Sequence, residues 1–416
     1  MLAAGRICMK TLIAAACALL ATTALAAPKP DATLLKAATA EAPAITATLK
    51  SLVEIETGTG DAEGMASMGR YLESAFTARG ATVARMQPTG GVAGDIIVAR
   101  WKGTGKGKLL LIAHMDTVYQ RGALARAPFK LMDSPQGPLA YGPGISDDKS
   151  GIATILHTLP LLTAKDYAEL TVAINTDEER GSLGSGTTIT ELAKGMTAVL
   201  SFEPTSMPER LTRGTSATNT VTVTIKGKAS HAGGAPEAGI NSLVEAAHII
   251  QTTKDLDRGQ GNRRFNWTVV EQQRGVRNII PDDVTLIGDL RTSNLAQFDQ
   301  FKAELLDRLK TPSIPGAVVT AEVRMNRPPF TATPASNALI DEARAIYATL
   351  GKELLVMERG GGGTDAGYAA LAGVPVIESL GLPGFGAHTT QAEYVFLEAV
   401  PRRLYLAASL IRKLGR

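Results

Sequence analysis

The chain reads as an α/β protein: a mostly parallel sheet with helices on both faces, carrying an inserted ferredoxin-like βαββαβ domain. Three observations predict this. Helical and strand-like patterns alternate from about residue 31 to 212. The run Leu109–Ala113 is continuously apolar, as a strand covered on both faces requires. Residues 219–325 then follow the order strand, helix, strand, strand, helix, strand. At 416 residues the chain is long for one core, which favours two domains. The boundaries fall at a leader over 1–27, a larger domain over 28–213 and 327–416, and an inserted domain over 214–326.

The N-terminal segment is read as a secretory signal peptide. Arg6 and Lys10 precede the apolar run Leu12–Leu20 and the small-residue pattern Ala24-Leu25-Ala26. The run is too short to span a membrane, and Pro28-Lys29-Pro30 ends it, which argues against a buried helix. Met9 serves as well as Met1 for a start. The mature protein is therefore expected to be periplasmic or secreted, without a membrane anchor. Both cysteines, Cys8 and Cys17, lie in the leader, so any metal must use histidine and carboxylate. Lysine plus arginine (43) nearly balances aspartate plus glutamate (40) with no long single-sign block, so nucleic acid is not an expected partner.

Helices are expected over 32–53, 61–79 and 150–163, and strands over Lys108–Ala113, Leu170–Asn175 and Ala198–Phe202. In the inserted domain, Thr220–Lys226 alternates threonines with valines and Ile225. It is followed by helix Asn241–Lys254, strands Phe265–Gln272 and Val284–Arg291, helix Leu295–Leu309 and strand Val318–Met325. Helix 335–350, strands Leu354–Glu358 and Val374–Leu380, and helix 398–414 return to the larger domain. Thr220–Lys226 is offered as an edge strand that pairs across a two-fold axis. His157 and His248 lie in apolar helical patterns and are read as packing residues.

Chemistry collects where strands end. His114 closes the apolar strand, and Asp116, two residues on and on the same face, is placed to orient its ring. Asp177-Glu178-Glu179, Glu203 and, through a glycine-rich loop, His388 follow three more strands. Open α/β sheets build their sites at strand carboxyl ends. Any one of these acids alone reads as a solvated loop residue, but four strand ends carrying His or Glu are hard to assign to chance. Two Zn²⁺ ions bring four positive charges, which Asp147, Glu179, Glu203 and one hydroxide balance while the histidines stay neutral. Glu178 is then surplus to coordination and free to move a proton.

From about Glu41 to Leu414 the sequence resembles the M20 metallopeptidases, and among them the glutamate carboxypeptidases. The strings that carry the likeness include Val53-Glu-Ile-Glu-Thr-Gly-Thr-Gly60, His114-Met-Asp-Thr-Val-Tyr119, Tyr141-Gly-Pro-Gly144, Asn175-Thr-Asp-Glu-Glu179, Arg264-Phe-Asn-Trp267 and Glu378-Ser-Leu-Gly-Leu-Pro-Gly-Phe-Gly386. The resemblance implies that the larger domain is the catalytic one and binds two zinc ions per chain. Asp147 would bridge them, with His114 and Glu203 completing one site and Glu179 and His388 the other. Glu178 is implied as the base, and a cis peptide is implied at Asp147-Asp148.

The same likeness makes the inserted domain a lid and homodimer contact. His231, in Ala229-Ser-His-Ala-Gly233, would reach a partner subunit's active site, while Asn278, Arg291 and Arg327 would hold the substrate's carbonyl and carboxylate. The implied reaction is amide hydrolysis releasing C-terminal L-glutamate from N-acyl glutamates such as folates. An aminoacylase, deacylase or dipeptidase on the same core is the enzymatic alternative. A binding protein that has lost catalysis has no need for an intact Glu178. Gly360–Gly363 lets backbone N–H groups approach a ligand. Two stretches depart from the pattern: Arg213 stands where an apolar residue is expected, and Thr389-Thr390-Gln391 replaces a Ser-Asp-Lys stretch.

Overall fold

The computed structural model describes residues 29–259, 263–272, 275–389 and 393–416, so the leader reading lies outside the described residues, as do Thr390 and Gln391. Among the described residues no helix is long and apolar enough to cross a membrane. The main sheet runs Thr82–Met86, Ile96–Lys102, Glu169–Asn175, Lys108–His114, Ala198–Ser201, Val376–Ile377. Its last four strands are mutually parallel, and the first two add antiparallel at one edge. Both faces are covered. Helices Ala42–Val53, Ser150–Thr158 and Val400–Gly415 pack with Leu109, Leu111 and Val172 on one side, whereas Gly186–Ala193 and Ala366–Ala370 meet Leu110, Ile112 and Val199 on the other. The expected fold class is what the chain adopts.

Two expected helices are broken by proline. The segment read as one helix over 32–53 forms two, Ala32–Ala40 and Ala42–Val53, because Pro43 has no N–H to continue the first ladder but suits the first turn of the second. Pro160 likewise ends Ser150–Thr158 in a short 3₁₀ turn over Leu159–Leu161. His157 is buried, with Nδ1 2.6 Å from Glu41 Oε2 and Nε2 2.8 Å from Thr48 Oγ1, so it ties the second helix to Ser150–Thr158 as a structural residue. His248 differs from expectation. It is exposed, because Ala246 and Ile249 take the buried stripe of helix Ser242–Thr253.

The inserted domain has its own antiparallel sheet in the order Arg263–Gln272, Asp283–Thr292, Ala217–Lys226, Val318–Arg327, the ferredoxin-like arrangement, with a separate core of Val221, Val223, Ile225, Leu286 and Phe301. Ala217–Lys226 is thus an inner strand paired on both sides, and the expectation that Thr220–Lys226 forms an edge is incorrect. Alternation reports which face of a strand is buried and says nothing about whether the strand has one neighbour or two. The edges belong to Arg263–Gln272 and Val318–Arg327. The two crossings into this domain are stitched together where Gly214–Thr215 pairs antiparallel with Phe330–Thr331.

Candidate metal centre and active site

Because the four central strands are parallel, their carboxyl ends share one rim of the sheet, and the candidate ligands gather there. His114 is the last residue of its strand and is fully buried. Glu178 and Glu179 sit on the short turn Glu178–Arg180, Glu203 lies two residues beyond Ala198–Ser201, and His388 adopts a left-handed φ of 59° in the loop after Gly384–Phe385. Asp147 lies in the turn before helix Ser150–Thr158, and the Asp147-Asp148 peptide is cis.

These side chains converge into two overlapping donor groups, His114–Asp147–Glu203 and Asp147–Glu179–His388, each with its donor atoms within 4.8 Å of one another. Asp147 belongs to both. Its Oδ1 is 2.9 Å from His114 Nε2 and its Oδ2 3.3 Å from His388 Nε2. Glu203 Oε1 is 3.8 Å from His114 Nε2, and Glu179 Oε2 is 2.9 Å from His388 Nε2. The His114 ring is fixed from behind: Nδ1 donates to the Asp116 main-chain carbonyl at 3.0 Å, with Asp116 Oδ1 at 3.4 Å, so Nε2 faces the cluster. The Asp116 carboxylate also accepts from Glu178 N at 3.0 Å, Glu179 N at 3.1 Å and Thr59 Oγ1 at 2.8 Å, which fixes the acidic turn.

The electrostatics ask for cations. Asp147, Glu178, Glu179 and Glu203 crowd around two histidines. Burial first, and the Glu178 charge second, hold Glu203 well above the usual carboxylate range. Burial also pushes Glu178 up to about 8, against the pull of Arg327 and His114. Burial would raise Asp147 too, but hydrogen bonds from His114 and His388 bring it below its ordinary value. Two overlapping sets of histidine and carboxylate donors with excess buried negative charge fit divalent metal binding.

Glu178 stands outside both donor groups. Its Oε2 is 3.9 Å from His114 Nε2 and its Oε1 accepts from Arg327 Nη1 at 2.6 Å. Arg327 is buried and also donates to the main-chain carbonyls of Glu178 and Gly363. It lines a cavity of about 680 Å³ with Arg180, Arg291, Arg324, Gly360, Gly362 and Gly363, together with the candidate metal donors Asp147, Glu179, Glu203 and His388. Arg291 is there as well, its Nε 2.9 Å from Asp289 Oδ2. His231 and Asn278 are brought together in the inserted domain, where Ala232 N donates to Asn278 O at 3.0 Å, but neither lines that cavity. Arg213 is also outside it, paired with Glu358 at 2.5 Å.

A profile of peptidase family M20/M25/M40 matches residues 110–413, which include all these candidate ligands. This chain belongs to that family. It is 52% identical over 412 residues, 98% of each chain, to carboxypeptidase G2 of Pseudomonas sp. (strain RS-16). It is 25% identical over 186 residues, 40% of this chain and 49% of the other, to succinyl-diaminopimelate desuccinylase of Nitrosospira multiformis. Among solved structures, aminopeptidase PepT of Bacillus cereus has the same fold, with a TM-score of 0.75 at 20% identity over 90% of this chain and 99% of that one. An M20 family metallo-carboxypeptidase of Sulfolobus solfataricus follows at 0.68 and 14%, covering 89% and 99%.

One residue of this peptidase site escaped the sequence reading. The Glu393 carboxylate accepts from Gly144 N at 3.0 Å and from Ser146 N and Asp147 N, each at 2.7 Å, and so cradles the turn that presents Asp147. No local pattern marks it, since it sits beside a short strand 246 residues from Asp147. Glu393→Ala is expected to weaken metal retention roughly 10–100-fold, the usual cost of removing a residue that orients a ligand. Competition with a chelator measures this, and unchanged retention would show that the turn holds its shape without Glu393.

Proposed function

We propose that this chain is a two-zinc carboxypeptidase that hydrolyses the amide bond of N-acyl glutamates, folates and their analogues among them, releasing free C-terminal glutamate. The observation that carries the reading is the near full-length 52% identity to carboxypeptidase G2, together with the paired donor groups. His114, Asp147 and Glu203 would hold one ion and Asp147, Glu179 and His388 the other. Bound there, the ions supply Lewis-acid activation of water and of the scissile carbonyl. Glu178 takes the proton of the attacking water on its carboxylate and returns it to the leaving amine nitrogen. Asp116 acts as a positioning residue for His114 and for the Glu178–Glu179 turn.

The protein is further proposed to act as an exported homodimer. His231 is exposed in the inserted domain and lies outside its own chain's cavity, an arrangement that supports service in a second subunit's site. Its Nδ1 accepts from Gly233 N at 3.2 Å and Gly234 N at 3.0 Å, so the neutral ring carries its proton on Nε2, free to donate to a developing oxyanion. Export rests on the leader sequence.

Substrate choice is tested by amino-acid release. p-Aminobenzoyl-glutamate is expected to be cleaved with free glutamate released, and the leucine counterpart to be at least about 10²-fold poorer in kcat/KM, because a site lined with cations leaves them unmet by an apolar residue. Equal or better cleavage of N-acyl leucine, alanine or arginine would replace glutamate specificity with a general aminoacylase activity while leaving the metal chemistry in place.

A further inference from the structure

The end of the main sheet opposite the candidate metal donors carries a cluster of charge that amide hydrolysis does not use. Lys108 opens the strand that His114 closes, so the two lie at opposite ends of one element, about 20 Å apart at the rise of a parallel strand. At that far end the loop Lys102-Gly-Thr-Gly-Lys-Gly-Lys108 arches over the start of strand Glu169–Asn175, since Lys102 and Lys108 are both in register with Glu169.

The loop cannot turn over. Gly103, Gly105 and Gly107 face inward, where an added Cβ would strike the main-chain oxygens of Tyr167, Gly415 and Leu414. Its N–H groups are spent on the same segments: Gly103 N on Ala168 O at 2.9 Å, Gly105 N on Tyr167 O at 2.8 Å, and Lys106 N and Gly107 N on Gly415 O at 2.6 and 3.1 Å. The residues between the glycines are left to solvent, and Lys102, Lys106 and Lys108 are all exposed. Lys165 is exposed beside them, on the turn Ala164–Asp166, where Ala164 O accepts from Thr104 N at 2.6 Å. None of these four ammonium groups has a hydrogen bond or ion pair among the described residues. Of the neighbouring acids, Asp166 is buried and held by Thr163 and Arg416, and Glu169 is half-buried. Four free cations thus face one half-buried carboxylate, on a chain whose formal net charge is only +3.

We propose that this basic end of the sheet docks reversibly on an anionic phospholipid bilayer, leaving the metal cluster and its cavity turned toward solvent. Charge and the lack of anything else select the partner. The aromatic residues of these segments, Trp101 and Tyr167, are buried, so a single-stranded nucleic acid would find phosphate contacts here but no platform on which to stack its bases. A layer of anionic headgroups asks only for cations held near its surface, and each lysine so placed is worth about 5-fold in binding. No exposed apolar side chain accompanies the four lysines in the loop or the turn, so the attachment is electrostatic and salt weakens it. The proposal does not depend on which amide the enzyme cleaves.

Co-sedimentation with vesicles tests it, on the chain without the leader over 1–27, whose apolar run would itself enter lipid. The wild-type protein is expected to bind vesicles of phosphatidylcholine mixed equally with phosphatidylglycerol, to ignore vesicles of phosphatidylcholine alone, and to be released as salt is raised. Lys102→Gln, Lys106→Gln and Lys165→Gln should each weaken binding about 5-fold and together about 10²-fold, whereas the corresponding Lys→Arg changes should keep it. None of these residues belongs to the donor groups or lines the main cavity, so amide hydrolysis and Tm should stay at wild-type values and show that the variants are folded. Absence of wild-type binding, equal binding to neutral vesicles, or full binding by the triple Gln variant overturns the proposal. A single-stranded oligonucleotide bound more tightly than anionic vesicles at equal phosphate concentration overturns it too, and makes the surface a nucleic-acid contact.

Discussion

Glu178→Gln is expected to keep its bound metal and near-normal KM while losing roughly 10²-fold or more in kcat, the usual contribution of a positioned general base. Glutamine has nearly the size of glutamate, and the backbone of residue 178 is held independently by Asp116 Oδ1 at 3.0 Å. The side chain belongs to neither donor group, so its replacement removes no ligand. What it removes is an oxygen able to accept and return a proton. Arg327 would lose its charged partner at 2.6 Å but keep two main-chain carbonyls, those of Glu178 and Gly363, so the wall of the cavity should stand. Metal content, KM and kcat measured on one preparation separate these effects. Near-wild-type turnover with full metal content would show that another group moves the proton, whereas loss of metal would make Glu178 a ligand.

The pair Glu178–Arg327 also changes how the arginines are read. Resemblance makes Arg291 and Arg327 the natural receptors of substrate carboxylates, but here Arg327 is buried against Glu178 and Arg291 is offset by Asp289. Both cations enter the reaction already partnered. A carboxylate that binds Arg327 must compete with Glu178 and one that binds Arg291 with Asp289, so only recognition through Arg327 would be linked to the state of Glu178.

The candidate ligands were legible because their signal is local. An apolar run of four to seven residues ends, and His114, Glu179 or Glu203 follows within a few positions. Parallel strands then place those ends on one rim, with no long-range detail required. What failed to show depends on partners distant in sequence. The inner position of Ala217–Lys226 is set by strands on both sides that alternation cannot name. Glu393 acts through three backbone N–H groups some 246 residues away or more, and nothing in its own surroundings marks an acid that serves as a cradle. His248 sits in a helix with a convincing apolar rhythm, yet the buried stripe runs through Ala246 and Ile249 and leaves Ala247 and His248 exposed.

The dimer reading yields the other large effect. His231→Ala and Glu178→Gln proteins, each purified alone, should be nearly inactive if His231 supplies its ring to the partner's site. Co-expressed, the two chains pair at random and about half the dimers are mixed. In a mixed dimer one site combines an intact Glu178 with the His231 of the other chain, and the second site lacks both, so about a quarter of wild-type activity should return. The position of His231 is what makes this sharp: exposed, with Nδ1 occupied by two backbone donors, it lies apart from the residues lining its own cavity. A residue that acts within its own chain gives no recovery, because neither chain then carries a complete site. Differently tagged chains, purified in tandem, establish that mixed dimers are present. Their inactivity would place His231 in cis and require the inserted domain to swing far enough to bring it onto its own cluster.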